Sequence, residues 1–119
     1  MDYVTPQDLL NNILSAAEKK AHLSIKDMVV RGALSGALLG YATSLAFQVT
    51  TQGLPPIVGA LLFPVGFVLL VLLGLELATG NFALLFKGLL AKRLDSTQMV
   101  RNWVWVYVGN LLGCLFYAL

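Results

Sequence analysis

The stretch Gly66–Lys87, GFVLLVLLGLELATGNFALLFK, lies inside a longer apolar run, Ile57–Phe86, which carries a single charge at Glu76. As one straight helix this run would be about 45 Å long, whereas a bilayer core is about 30 Å thick and about 20 residues cross it. The run is therefore too long for one simple span and too short for two. Its interruption, Glu76–Asn81, combines an acid, a hydroxyl, a glycine and an amide, which weaken helical hydrogen bonding. We predict one membrane crossing built from a long half-helix, a break and a short half-helix.

The composition predicts an all-α integral membrane protein. The chain has 119 residues, of which 58% are hydrophobic and 12% charged, against roughly 25% charged residues in soluble domains. The net charge of +2 gives no nucleic-acid signal, and one cysteine, Cys114, cannot form a disulfide within the chain. The sequence holds no nucleophile–base pair, metal-spaced cluster or phosphate loop. We therefore expect a protein that is not an enzyme and that has no catalytic residues, metal or cofactor.

The chain divides into a leading helix and a membrane domain. Residues 1–27 form an amphipathic helix that starts at Thr5-Pro6 and is expected on the membrane surface or against a neighbouring subunit. Residues 28–119 form the transmembrane domain, with spans at about 28–50, at 57–90 with a break near 76–81, and at 102–119. Small residues in the first and third spans allow close helix packing; they include Gly36, Gly40 and Gly109.

The basic residues predict the topology. All eight Lys and Arg residues are assigned to the part before span one or to the connection between spans two and three, and the loop Thr51–Pro56 has none. The positive-inside rule then places the N-terminus in the cytoplasm of a multi-pass protein of the cell membrane.

The break is the candidate solute site. The start of the second half-helix exposes unpaired N–H groups, Thr79 adds a hydroxyl and Asn81 an amide, and small anions suit such a place. Glu76 is assigned to holding the loop, by accepting hydrogen bonds or by pairing with a cation, with a proton relay as the alternative. From spacing alone, Phe63 and Phe67 are ordinary core or lipid contacts.

Two separated motifs carry a resemblance to a known family. The first comprises Phe63-Pro64-Val65-Gly66 and Gly74–Asn81, preceded by Gly53-Leu54-Pro55, and the second is Asn102–Asn110. They resemble the formate/nitrite transporter family, whose own second motif is N-W-x-x-x-Y-x-G-N. The resemblance covers nearly the whole chain and corresponds to the N-terminal half of the family: an amphipathic helix, span one, the broken span two and the start of span three.

The resemblance implies an aquaporin-like bundle of six spans from two inverted halves, assembled as a homopentamer with one pore per protomer in the lipid bilayer. It implies that Thr79 faces the pore and that Phe63 and Phe67 contribute to its constrictions. Glu76 and Gly80 are assigned to stabilising the loop. The residues assigned to packing are Gly36, Gly40, Asn102, Trp103, Tyr107, Gly109 and Asn110.

The implied function is transport of a small monovalent anion such as formate, nitrite, hydrosulfide or a short carboxylate. In the family a central histidine belongs to the second half, and the single histidine here, His22, precedes the first span. The chain is therefore expected to be partial. Two alternatives stay open, namely a non-transporting three-span accessory or structural protein and an aquaporin-like channel for neutral solutes, although the chain lacks the Asn-Pro-Ala motif expected of the latter.

Overall fold

The computed structural model describes residues 3–119, which form helices joined by short turns and contain no strand. The prediction of an all-α fold is confirmed. The six helices of this part of the chain are α1 (Pro6–Ala21), α2 (Ile25–Thr51), α3 (Pro56–Leu62), α4 (Val65–Leu72), α5 (Ala78–Leu90) and α6 (Ser96–Ala118).

Local side chains set where three of these helices begin. The Thr5 hydroxyl accepts from the backbone N–H of Asp8 before α1, and the Ser24 hydroxyl does the same for Asp27 before α2. Asp95 and Gln98 form a reciprocal capping box before α6. Each cap satisfies a backbone donor that the first helical turn leaves unpaired.

Helices α2 and α6 form a close seam lined by glycine. A Cβ at Gly36 would lie 2.1 Å from the Asn110 carbonyl oxygen, and one at Gly113 would lie 1.8 Å from the Ala33 carbonyl oxygen. No side chain fits at those distances, so glycine is required where the two backbones approach. Gly40 and Gly109 lie on the same seam, against Tyr117 and Val29 respectively.

Tyr107 was predicted as a packing residue but is 58% exposed. The buried face of α6 follows Met99, Asn102, Val106, Gly109 and Gly113 at helical spacing. Tyr107 stands one residue beyond Val106 and is therefore rotated by about 100° away from that face.

Helix α1 packs inside the described chain rather than only on a membrane surface. Ala17 and Ala21 are fully buried against Leu85 of α5, Leu94 and Met99. The alanines permit close approach, since a Cβ at Gly88 would lie 2.9 Å from the Ala17 Cβ. The expectation of a surface or subunit contact is therefore corrected for this face of α1.

The second span is interrupted twice. The first interruption is Phe63-Pro64, between α3 and α4, and the second is the non-helical segment Leu73–Leu77, between α4 and α5. The second interruption begins three residues before the predicted break, and Thr79–Asn81 lie in the first turn of α5. Neither Thr79 nor Asn81 caps that helix, because Leu77 occupies the N-cap position without a side-chain hydrogen bond.

Large apolar side chains cover the outer surface. Examples are Leu61, Leu72 and Phe116, which are 73%, 76% and 80% exposed. Within the described residues α2 is long and apolar enough to span a bilayer alone, and α3 with α4 gives a shorter apolar segment. Such a surface is suited to lipid or to further protein.

Candidate functional site

The broken segment starts with a glycine in the left-handed conformation. Gly74 has φ of +63°, its N–H donates to the Val71 carbonyl at 3.1 Å, and the Leu75 N–H donates to the Leu70 carbonyl at 2.9 Å. These two bonds form a Schellman cap, which ends α4 and satisfies the carbonyls of Leu70 and Val71. The backbone requirement for glycine in the break therefore lies at Gly74. It does not lie at Gly80, which is helical and where an added Cβ would meet nothing within 4 Å.

Asn110 of α6 clamps the other side of the break. Its side-chain oxygen accepts from the Ala78 N–H at 2.9 Å, and its amide nitrogen donates to the carbonyls of Glu76 at 3.0 Å and Gly32 at 2.9 Å. One side chain thus satisfies a carbonyl of the break and the first N–H of α5, and it joins α2, α5 and α6. Backbone groups at membrane depth need such partners.

A buried polar cluster lies beside this clamp. Glu76 accepts from Lys20 Nζ of α1 at 2.8 Å through one carboxylate oxygen and from the Asn81 amide at 2.7 Å through the other. Asn102 accepts from the same Asn81 amide at 2.8 Å and donates to the Lys20 carbonyl at 3.0 Å. Glu76 is 3% exposed, so a buried charge is matched by an ion pair and a hydrogen bond, as burial requires.

A cavity of about 570 Å³ opens between α1, α2, α4 and the break. Its wall is mostly apolar, with Phe67, Leu70 and Leu84 among the contributors, and its polar wall includes Thr79, Gly80, Asn81 and Glu76. Three cationic residues also line it, namely Lys19, Lys20 and Arg31. The cavity therefore joins a hydrophobic surface to the start of α5 and to positive charge.

Thr79 lies in the first turn of α5 on the cavity wall. Its side chain is exposed, and its hydroxyl forms no hydrogen bond with any residue between 3 and 119. The first turn of a helix also carries free N–H groups and a partial positive charge. Hydroxyl and helix end together can donate hydrogen bonds to a small anion.

The structure brings together some predicted site residues and separates others. Thr79, Phe67 and Asn81 line the cavity, although the Asn81 side chain is committed to Glu76 and Asn102. Phe63 does not line it; its ring packs edge-on against Phe67, with 5.5 Å between centroids.

Trp103 supports the cluster from α6. Its indole N–H donates to the Asn81 carbonyl at 3.2 Å, and its ring packs edge-on against Phe82 with centroids 5.0 Å apart. Both contacts hold the first turns of α5 against α6. Within residues 3–119 no group of His, Cys, Asp and Glu side chains is arranged to hold a metal ion.

Two cationic residues of the site were missed from the sequence. Lys20 was counted among the basic residues before span one, but its ammonium turns inward to Glu76. Arg31 was counted with the residues before span one, but it lies in the second turn of α2 and lines the cavity. For Arg31 the sequence did contain a signal, because a charge inside an apolar span is a candidate functional residue, and the same argument was used for Glu76.

Known proteins are similar to this chain over almost its whole length. The family model described as formate/nitrite transporter matches residues 7–119. The formate channel of Bacillus thuringiensis is 31% identical over 99% of this chain and 48% of its own length. A probable formate transporter of Methanothermobacter thermautotrophicus is 34% identical over 98% of this chain and 45% of its own length.

A third relative, the formate channel of Haemophilus influenzae, is 36% identical over 91% of this chain and 38% of its own length. The chain thus spans about half the length, or less, of the curated relatives it matches. No solved structure matches the chain at a significant level.

Proposed function

This chain belongs to the formate/nitrite transporter family, and from that premise we propose that it carries a small monovalent anion across the cell membrane. The fold of the family is an aquaporin-like helical membrane bundle. Relatives named as formate channels support a formate-type substrate, with nitrite as a second candidate. Anion passage is the function that both the family and the cavity favour.

Thr79 is the observation that carries the proposal. Its hydroxyl is free within the described chain and lies on the cavity wall, in the first turn of α5. An anion in the cavity would accept from this hydroxyl and from the N–H groups beside it. Because Glu76 is already engaged by Lys20 and Asn81, its carboxylate does not oppose an anion with an unbalanced charge.

Phe67 forms the apolar side of the proposed path. Its ring lines the cavity while Phe63 packs against its edge, so the two rings would move as one unit. An apolar wall of this kind disfavours fully hydrated ions, so an anion would shed part of its water to pass it. Phe63 would then act on the path through Phe67.

The chain forms one side of the proposed pore. Its relatives are about twice as long, and the cavity is open to the exterior of the described chain. We infer that a second segment, equivalent to the other half of the relatives, closes it. A homopentamer in the bilayer with a cytoplasmic N-terminus is part of the same proposal; the orientation is supported by the charge-free loop Thr51–Pro56.

The first test measures uptake of labelled formate and nitrite into proteoliposomes, with and without a pH gradient. Vesicles with this chain alone are expected to show no flux above empty vesicles. Vesicles that also contain the C-terminal half of the Bacillus thuringiensis formate channel are expected to take up anion above the level of empty vesicles, and these are called the conducting vesicles below. Absence of flux under both conditions would contradict the proposal.

In the conducting vesicles we predict that Thr79→Val lowers formate flux about tenfold, because one charge-assisted hydrogen bond is lost while the shape is kept. The matched control is Thr43→Val in α2, whose hydroxyl donates to the Leu39 carbonyl within its own helix and does not line the cavity. Equal fluxes in the two variants would remove Thr79 from the path.

A further inference from the structure

Two cations of the cavity, Lys19 and Arg31, form no ion pair within residues 3–119, and of these two Arg31 is the half-buried one. Lys20 is paired with Glu76 at 2.8 Å, and the other ion pair of residues 3–119, Arg93 with Glu18, lies outside the cavity. Arg31 forms neither an ion pair nor a hydrogen bond with any of those residues, although it is half-buried. A half-buried guanidinium without a partner is an open binding group.

The neighbourhood of Arg31 strengthens its interaction with an anion. The cavity wall around it is largely apolar, with Leu70, Val71 and Leu23 among its residues. A charge–charge attraction is stronger beside such a wall than in bulk water. Lys19 also lines the cavity, but it is exposed, and a hydrated ammonium on a flexible stem gives attraction without defined geometry.

The guanidinium also selects by shape. Its planar fork presents parallel N–H donors that match the two oxygens of a carboxylate, whereas an ammonium acts as a point charge. Nitrite presents the same planar pair of oxygens, but hydrosulfide has one sulfur and no such pair. A site built on Arg31 therefore favours planar two-oxygen anions.

We propose that Arg31 is the docking group that admits planar two-oxygen anions, carboxylates and nitrite, to the cavity before they reach Thr79. The role of this residue rests on the proposed transport function, which it extends to a choice among anions. Arg31 sets selectivity at entry, while the N-terminal turn of α5 with Thr79 binds any small anion that has entered.

The first experiment compares formate and hydrosulfide fluxes in the conducting vesicles described above. Arg31→Lys keeps the charge and loses the fork, so the ratio of formate to hydrosulfide flux is expected to fall about three- to tenfold. The control is Arg93→Lys, an exposed arginine outside the cavity, which should leave the ratio unchanged. An unchanged ratio in Arg31→Lys overturns the proposal while transport itself stands.

The second experiment uses the protein without substitutions. It requires no transport measurement and does not depend on whether a variant folds. Phenylglyoxal labels arginine side chains, and mass spectrometry reads the extent at Arg31, Arg93 and Arg101. Formate is expected to slow labelling of Arg31 at least threefold relative to chloride at the same concentration, and to leave the other two unchanged. Equal labelling of Arg31 in formate and chloride overturns the docking role, whatever the transport assay shows.

Discussion

The apolar run Ile57–Phe86 contains two interruptions that differ in what surrounds them. At Phe63-Pro64 the chain stays in helical conformation, with the Phe63 N–H bonded to the Gly59 carbonyl at 2.9 Å and the Val68 N–H bonded to the Pro64 carbonyl at 3.0 Å. No side-chain hydrogen bond reaches it from elsewhere in residues 3–119. It is a local kink of the kind that proline causes.

At Leu73–Leu77 the helix ends, and residues distant in sequence supply hydrogen bonds to this segment. Gly74 turns the backbone, Asn110 reaches it from α6, and Lys20 reaches Glu76 from α1. The cavity and the free Thr79 hydroxyl lie here and not at the proline. A break becomes a site when tertiary contacts satisfy its backbone and leave selected donors free.

The largest expected effect comes from removing the amide clamp. Asn110→Leu leaves the Ala78 N–H and the Glu76 carbonyl without their side-chain partner, at about 1–3 kcal/mol for each group that stays buried, and removes the second donor to the Gly32 carbonyl. We expect the protein to lose most of its folded yield, measured as monodisperse protein in detergent. Cys114→Ala, one turn further along α6, is the control and should keep a normal yield; a stable Asn110→Leu would mean that the clamp is dispensable.

A smaller effect is expected from Glu76→Gln, which keeps the shape and breaks the ion pair. Lys20 is left without its partner in a site where its side chain is 20% exposed, and we expect about 1–3 kcal/mol of lost stability. Thermal unfolding in detergent measures it. Glu18→Gln removes the exposed pair with Arg93 and should cost under about 1 kcal/mol. Normal stability of Glu76→Gln with a changed anion preference would count against its loop-holding role.

The smallest effect is expected at the kink. Pro64→Ala should change the stability by less than about 1 kcal/mol, because the residue already has helical φ and ψ and no distant group depends on it. The same thermal measurement applies, together with formate flux in the conducting vesicles. A loss as large as that of Glu76→Gln would show that the two interruptions are equivalent after all.

Sequence reasoning located what neighbouring residues determine. The start of α1 at Thr5-Pro6 depends on side chains a few residues apart, and so does the polar interruption near Glu76. Both could therefore be predicted from the local sequence. The exact end of α4 was missed because it is set by Gly74, which adopts a positive φ. The apolar residues on either side of Gly74 gave no indication in the sequence that a helix ends there.

Contacts between distant residues were less accessible. Lys20 and Glu76 are 56 residues apart, and a lysine on an amphipathic helix is usually solvated. Pairing with a cation was one of the roles predicted for the acid in the apolar run, but the identity of the partner depends on the packing of α1 on α5. Arg31 could have been found by treating a charge inside the first apolar span as a candidate functional residue, as was done for Glu76 in the second.

The Asn110 clamp also orders events during protein synthesis. All three of its partners, Gly32, Glu76 and Ala78, leave the ribosome before it, and Glu76 precedes it by 34 residues. At about 5–20 residues per second this delay is roughly 2–7 s. During this delay the Glu76 carbonyl lacks its donor from α6 and the Ala78 N–H lacks its acceptor. The speed of translation between codons 76 and 110 therefore sets how long these two backbone groups stay without their Asn110 partner.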